Sequence, residues 1–346
     1  MKSVVATYLH LDAPGEGSSF PAAGPDSSRP ETQAIYWRCV VVFFASSLRH
    51  NPDSRHVLFT NAERCPVVDG IDVHSWLRRH GVDIVVVPLT FRVPKGYWGS
   101  WGCVYYLFDV VGWVSEQGDP DEGYLLIDCD AVWVRAANAL FRDLRAQHAM
   151  SYTYGYDEQW TINGLSRTEM KQLFEEMDGD TLSLAPDYSC GEFLAVDSQG
   201  ARRLMSLARD TFEVSLTRFT KGLPHFNEEG HMLSYLFQRL GFAQGTANPY
   251  IKRVWTGSAY NNVEPSDQEL TIWHLPSEKR SGLIWLFQAA VIPTSRFWHV
   301  KLGDSYRRYV GRKVGVPKRT RLDSKRVALE RRTLVWRRRM GAIRRP

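Results

Sequence analysis

The sequence predicts an α/β protein whose sheet is mostly parallel and covered by helices on both faces. Two observations lead there. Short apolar segments alternate with helical patterns through the first 134 residues, and alternation of that kind builds parallel sheets with both faces covered. The second observation sets the scale: 346 residues, 44% of them apolar, are enough to bury one large core.

Residues 3–8 read as a first apolar strand, followed by a Pro/Gly/Ser-rich loop over 12–30 and a helical pattern over 31–48. A second strand is expected over 56–61, a short helix over 73–80 and a third strand over 83–88. Residues 103–114 look helical, and 123–134 supply a fourth strand. The second half is less regular. Strands are expected over 150–154, 188–196 and 272–275, and helices over 198–218 and 229–240, with the sheet continuing in mixed direction. The most apolar stretches lie around 39–45 and 282–292, both shorter than the roughly 20 residues of a spanning helix. No secretory leader is read at the start of the chain.

The strongest chemical signal is Asp128-Cys129-Asp130, placed after Leu125-Leu126-Ile127 in the fourth strand. A parallel sheet presents its ligand crevice at the carboxyl ends of its strands. Two carboxylates there can hold a hard cation such as Mn²⁺ or Mg²⁺, which can bridge phosphate oxygens. The run Asp128 to Val132 also fits the strand-end pattern of haloacid-dehalogenase phosphatases, with Asp128 as nucleophile. That class usually carries the motif on its first strand and needs a later acid pair, which is not evident here.

Around these residues the sequence resembles retaining glycosyltransferases of the GT-A type. Asp187-Tyr188-Ser189-Cys190-Gly191-Glu192-Phe193 and Asn227-Glu228-Glu229-Gly230-His231-Met232-Leu233 are similar, in order and spacing, to two segments of the blood-group A/B-type galactosyltransferases. In that family a Gly stands at 192, a Ser at 230 and an Asn at 233. The resemblance implies that Glu229 faces the anomeric carbon, with Glu228 and Glu192 as further candidate carboxylates and Gly191 beside the donor. A plainer reading makes Glu228 and Glu229 helix N-terminal acids capped by Asn227. His274 to Lys279 resembles the closing motif of the glycogenin-like group, with Ser277 in place of its Gly and the spacing one residue short. By that resemblance His274 is a third metal ligand and Lys279 contacts the diphosphate. The fold implied is a GT-A sheet sandwiched by helices. The activity implied is transfer of a sugar from a nucleotide-diphosphate sugar, foremost a UDP-sugar, with retention.

Position adds four expectations. Thr7 and Tyr8 close the first strand and Asn61 the second, where such enzymes seat the base and ribose. Lys95 is a candidate for the diphosphate or sugar. Neither a dinucleotide fingerprint nor a Walker loop occurs in the expected place.

The net charge of +5 conceals an asymmetry. Residues 306–346 hold sixteen Lys/Arg and two acids, a balance of +14 that leaves −9 on the rest. We therefore divide the chain into a catalytic domain, 1–305, and a basic extension, 306–346. Within the extension, 325–340 can form a cationic helix with Leu329, Trp336 and Met340 on one side. Such a helix suits an anionic membrane surface or a nucleic acid, and a purely nucleic-acid-binding protein is the non-enzyme alternative. Five scattered cysteines show no paired spacing, which fits a reducing cytoplasm. The expected location is cytoplasmic, with the extension able to bring the protein to a membrane. The acceptor is a glycan, a lipid-linked sugar or a small molecule.

Overall fold

The structure is a computed structural model that describes residues 1–318. In chain order its elements are β1 (Lys2–Leu9), α1 (Pro30–His50), β2 (Arg55–Thr60), β3 (Val67–Val68), β4 (Ile71–Asp72), α2 (Val73–Arg79) and β5 (Val82–Val86). There follow α3 (Tyr106–Gln117), β6 (Glu122–Ile127), β7 (Ala131–Trp133), α4 (Asn138–Gln147), β8 (Ala149–Thr153), α5 (Arg167–Asp178) and β9 (Ser189–Asp197). The chain continues through α6 (Ser198–Thr220), α7 (Glu229–Leu240), β10 (Ile251–Arg253), β11 (Ile272–His274), α8 (Gly282–Ala290), α9 (Arg296–His299) and α10 (Asp304–Val314).

The main sheet has six strands in the order β5-β2-β1-β6-β9-β8. β5, β2, β1 and β6 run parallel, and β9 is antiparallel to both of its neighbours. The mixed direction expected for the second half is therefore present. From β1 the chain moves outward to β2 and β5, then returns past β1 to β6. Right-handed crossovers place α1 and α2 on one face and α3 on the other. Packing agrees: α1 lies along α8, and α3 along α6. The reversal leaves a crevice between the carboxyl ends of β1 and β6, the usual ligand position in an open α/β sheet.

α1 starts at Pro30, whose missing N–H costs nothing at a first helical position, and ends with Arg49 and His50. Trp37 and every residue from Cys39 to Ser47 are buried, so this helix is a core element rather than a surface one. The two most apolar stretches of the sequence, in α1 and α8, cover one another.

One expected element divides. Residues 123–134, read as a single strand, are β6 in the main sheet and β7 in a second sheet of three strands, β10-β11-β7. The apolar pattern runs on across Asp128-Cys129-Asp130, but the hydrogen-bond partners change there. Asp128 N–H donates to Glu192 O (3.0 Å) on β9, and Leu275 N–H donates to Asp130 O (3.0 Å) beside β11.

Residues from 306 onward begin within the folded body: α10 buries Tyr306, Val310 and Val314 and packs on α8. The cationic helix expected over 325–340 lies outside the described residues. Among the described residues no helix is long and apolar enough to cross a membrane.

Burial also gives the fold a pH signature. His56 on β2 sits against Phe44 and contacts Ser47 Oγ at 2.9 Å. Burial lowers its pKa from 6.5 to about 4. Its folded-state pKa lies below the unfolded one, so stability is lost as pH falls through the interval between them. The expected outcome is that His56→Gln gains on the wild type by on the order of 3 kcal/mol as unfolding is measured from pH 6.5 down to pH 4. A pH-independent difference between the two proteins would contradict it.

Candidate active site

The change of sheet brings the chemistry together. Asp128 follows Ile127, whose partner on β9 is Phe193, so Glu192 stands beside Asp128. On the second sheet Ala131 pairs with His274, and His274 with Arg253. Four segments distant in sequence therefore meet within one turn of chain.

Asp130 is the innermost group, its side chain 2% exposed. Its Oδ2 lies 2.6 Å from Lys279 Nζ and 3.3 Å from His274 Nε2. The same imidazole nitrogen is 3.8 Å from Asp128 Oδ2. On its far side, His274 Nδ1 lies 3.4 Å from Glu192 Oε1. Arg253 grips Glu192 with two parallel hydrogen bonds, Nε to Oε1 at 2.7 Å and Nη2 to Oε2 at 2.6 Å. Charges thus alternate in sign from Arg253 through Glu192, His274 and Asp130 to Lys279.

Burial alone would raise the Asp130 carboxyl, but Lys279 and His274 hold it well below the usual carboxylate range. Burial opposes charge on His274, yet Asp130 and Glu192 raise it to about 9. Asp128 is more open, 39% exposed at the side chain. Recessed beside Asp130, it is pushed up to about 6. Glu192 is held low by Arg253 and His274 against the effect of burial.

Asp128, Asp130 and His274 place one ligand atom each within 4.8 Å of one another. Neither nitrogen of His274 makes a well-aligned hydrogen bond among the described residues. Two carboxylates and one imidazole are a donor set suited to Mn²⁺ or Mg²⁺, the imidazole favouring the former. Glu192 stands where a carboxylate would orient such a histidine.

These groups line a cavity of about 580 Å³, together with Tyr8, Gly191, Glu228, Glu229, Arg253 and Lys279. Tyr8 donates from its hydroxyl to Gly191 O (2.9 Å). Gly191 is required by close approach: a Cβ there would stand 2.0 Å from Glu229 Oε1. Glu229 is half-buried, and its solvent-shielded Oε2 has no hydrogen-bond partner among the described residues. Burial, with Glu228 and Asp128 nearby, raises its pKa well above the ordinary carboxylate value. Glu228, rather than the expected Asn227, caps α7: it accepts from Gly230 N–H (3.1 Å) and from the Tyr188 hydroxyl (2.9 Å). The Asn227 amide instead donates to Asn163 O (2.9 Å).

Three expected residues stand elsewhere. Thr7 is fully buried within the sheet, on β1, and does not line the cavity. Asn61 ties down the loop after β1, accepting from Leu11 N–H (2.8 Å) and donating to Leu11 O (3.0 Å). Lys95 is exposed and does not line the cavity. Conversely, Arg253, Tyr36, Trp101 and Trp255 line the cavity without having been expected there. Tyr36 lies under Lys279, with the ammonium 5.4 Å from the ring centre.

Fold and site together define a mixed α/β protein with a recessed crevice of carboxylates and cations at its strand ends. No protein-family profile matches the chain, and no curated protein sequence matches it. Solved structures do resemble it. One is the bifunctional glycosyltransferase WbbM in its apo form, at 8% identity and TM-score 0.48, covering 79% of this chain and 45% of that one. The chain thus spans under half the length of that relative. Mouse xyloside xylosyltransferase 1 in its apo form shares 9% identity at TM-score 0.46, with 79% of this chain and 97% of that one covered. The galactosyltransferase LgtC, solved with donor and acceptor sugar analogues, shares 10% identity at TM-score 0.47, covering 78% and 86%.

The geometry makes Lys279 a competitor of any cation at Asp130. Replacing Lys279→Met leaves a buried carboxylate short of a partner and should lower stability by about 3 kcal/mol. Mn²⁺ should then raise the unfolding temperature of the variant by more than that of the wild type, because no ammonium has to be displaced. Equal or smaller stabilisation of the variant in a thermal titration would refute the placement of the cation at Asp130.

Proposed function

We propose that the protein is a metal-dependent glycosyltransferase of the GT-A type, moving a sugar from a nucleotide-diphosphate sugar to a glycan, lipid-linked or small-molecule acceptor. The observation that carries this reading is the convergence of Asp128, Asp130 and His274 with Lys279 at the crevice between β1 and β6. Asp128, Asp130 and His274 would hold Mn²⁺ or Mg²⁺. The bound ion would supply charge neutralisation on the departing diphosphate.

The chain's own residues do the rest. Lys279 is an ammonium at pH 7, since Asp130 and Tyr36 keep its pKa raised despite burial. When a cation takes its place on Asp130, it is free to contact a phosphate oxygen, a point charge needing no proton transfer. Glu192, clamped by Arg253, fixes the imidazole plane. The hydroxyl of Tyr8, braced on Gly191 O, sits at the strand end where a donor's ribose or sugar would enter. Glu229 adjoins the same space. Its carboxylate can offset positive charge at an anomeric carbon. Retention of configuration is what the resemblance to retaining GT-A enzymes implies.

The donor base is uracil in this proposal, and the location is the cytoplasm, with the basic extension meeting an anionic lipid surface. The phosphatase reading gains no support from the geometry. It needs a second acid pair near Asp128, whereas Glu192 is bound by Arg253 and His274.

The test is thermal stabilisation by a panel of nucleoside diphosphates, each with and without Mn²⁺. The expected result is a shift that requires both UDP and the metal and disappears in Asp128→Asn and Asp130→Asn. A metal-independent shift preserved in those variants would exclude the assigned roles, and no shift with any pair would remove the transferase reading. Once a donor is known, NMR of the product's anomeric proton should show the donor's configuration, and inversion would remove the role given to Glu229.

A further inference from the structure

A second group of ligating side chains opens onto the same cavity. His10 and Asp12 stand at the start of the loop after β1, and Cys103 lies just ahead of α3. A ring nitrogen, a carboxylate oxygen and the sulfur lie within 4.8 Å of one another. All three residues are buried, and His10 and Cys103 line the cavity.

Their hydrogen bonding leaves room for a ligand. The His10 side chain is 3% exposed, with Nδ1 3.3 Å from Asp12 Oδ1. That nitrogen makes no hydrogen bond among the described residues. The other oxygen of Asp12 is fixed by the hydroxyl of Ser27. The ring of His10 is held edge-on to Tyr106, with centroids 5.3 Å apart. A His–Asp ion pair would account for two of the three groups but not for a thiol placed against them. Burial, then the charge of Asp12, pushes that thiol well above its ordinary pKa.

We propose that His10, Asp12 and Cys103 form a second metal site, distinct in chemistry from the one at Asp130, that takes Zn²⁺ with its fourth position facing the cavity. Imidazole, carboxylate and thiolate together suit zinc, whereas Mg²⁺ and Mn²⁺ prefer oxygen-rich sets. Binding forms a Zn–S bond as the Cys103 thiol gives up its proton, which leaves to solvent through the cavity. The consequence is mechanical. The loop after β1 and the loop before α3 already touch: Trp101 N–H donates to Ser19 O (3.0 Å), and Gly102 N–H to Ser18 Oγ (2.8 Å). Those loops supply Phe20, Pro21, Ala22 and Trp101 to the cavity wall. An ion on His10, Asp12 and Cys103 staples the two loops and fixes that wall.

Cobalt replaces zinc in such sites and, when bound to a thiolate, absorbs in the near ultraviolet. Titrating the full chain with Co²⁺ under reducing conditions should develop that band to one equivalent, and Zn²⁺ but not Mg²⁺ should abolish it. Asp130→Asn should retain the band, which separates this site from the one in the proposed function. Cys103→Ser should lose the band while its circular dichroism stays native. Should Cys103→Ser fail to fold, His10→Gln provides the second arm, with cobalt binding weakened at least about tenfold. A wild type that shows no band, a band that survives Cys103→Ser, or undiminished affinity in His10→Gln would each overturn the site.

Discussion

The contact between Asp130 and Lys279 is the interaction around which the rest of the structure is organised. A carboxylate buried to that depth, 2% exposed, is tolerated only with cations against it. Lys279 provides one at 2.6 Å and His274 another at 3.3 Å. His274 in turn holds its proton because Asp130 and Glu192 face its two nitrogens, and Glu192 holds its charge because Arg253 clamps it. Each member is affordable only through its neighbour. The row therefore behaves as one unit, and removing a single member leaves the next one buried and uncompensated.

Topology explains why this row can exist. The chain crosses from the six-stranded sheet to the three-stranded one within Asp128-Cys129-Asp130. A strand continuing in one sheet would put successive side chains on opposite faces, and two acids one residue apart would share a face but meet nothing from a second sheet. The switch instead lets β9 deliver Glu192 and lets β10 and β11 deliver Arg253 and His274 to the same point. α1 backs the junction: Tyr36 lies beneath Lys279, and its carbonyl contacts the thiol of Cys129 at 3.8 Å. The loops after β1 and before α3 close the opposite side of the cavity.

Much of this was legible. The alternation of apolar strands and helical patterns gave the parallel half of the sheet, because hydrophobic periodicity and turn residues agree there. The strand-end acids were found because their position relative to a sheet carries meaning, and His274 and Lys279 because their spacing resembles a known motif. The break between β6 and β7 was hidden by an apolar run that both sheets bury equally. α5 has no counterpart among the expected elements, although Ser166 and Glu169 form a capping box ahead of Met170, Leu173 and Phe174. Arg253 had no local signal, since its role comes from a partner 61 residues away in sequence. Asn61 and Lys95 rest on position in the chain alone; the amide of the first is taken up by the backbone of Leu11, and the side chain of the second is exposed.

The central claim is that the row ending at Asp130 is a preassembled seat for a divalent cation and a diphosphate. The most direct measurement is diffraction at the manganese absorption edge from crystals grown with Mn²⁺ and a nucleoside diphosphate. The account predicts an anomalous peak bounded by Asp128, Asp130 and His274 Nε2, with Lys279 Nζ moved from Asp130 onto a phosphate oxygen. Nucleotide bound with no peak at that position, and Lys279 still paired with Asp130, would contradict it.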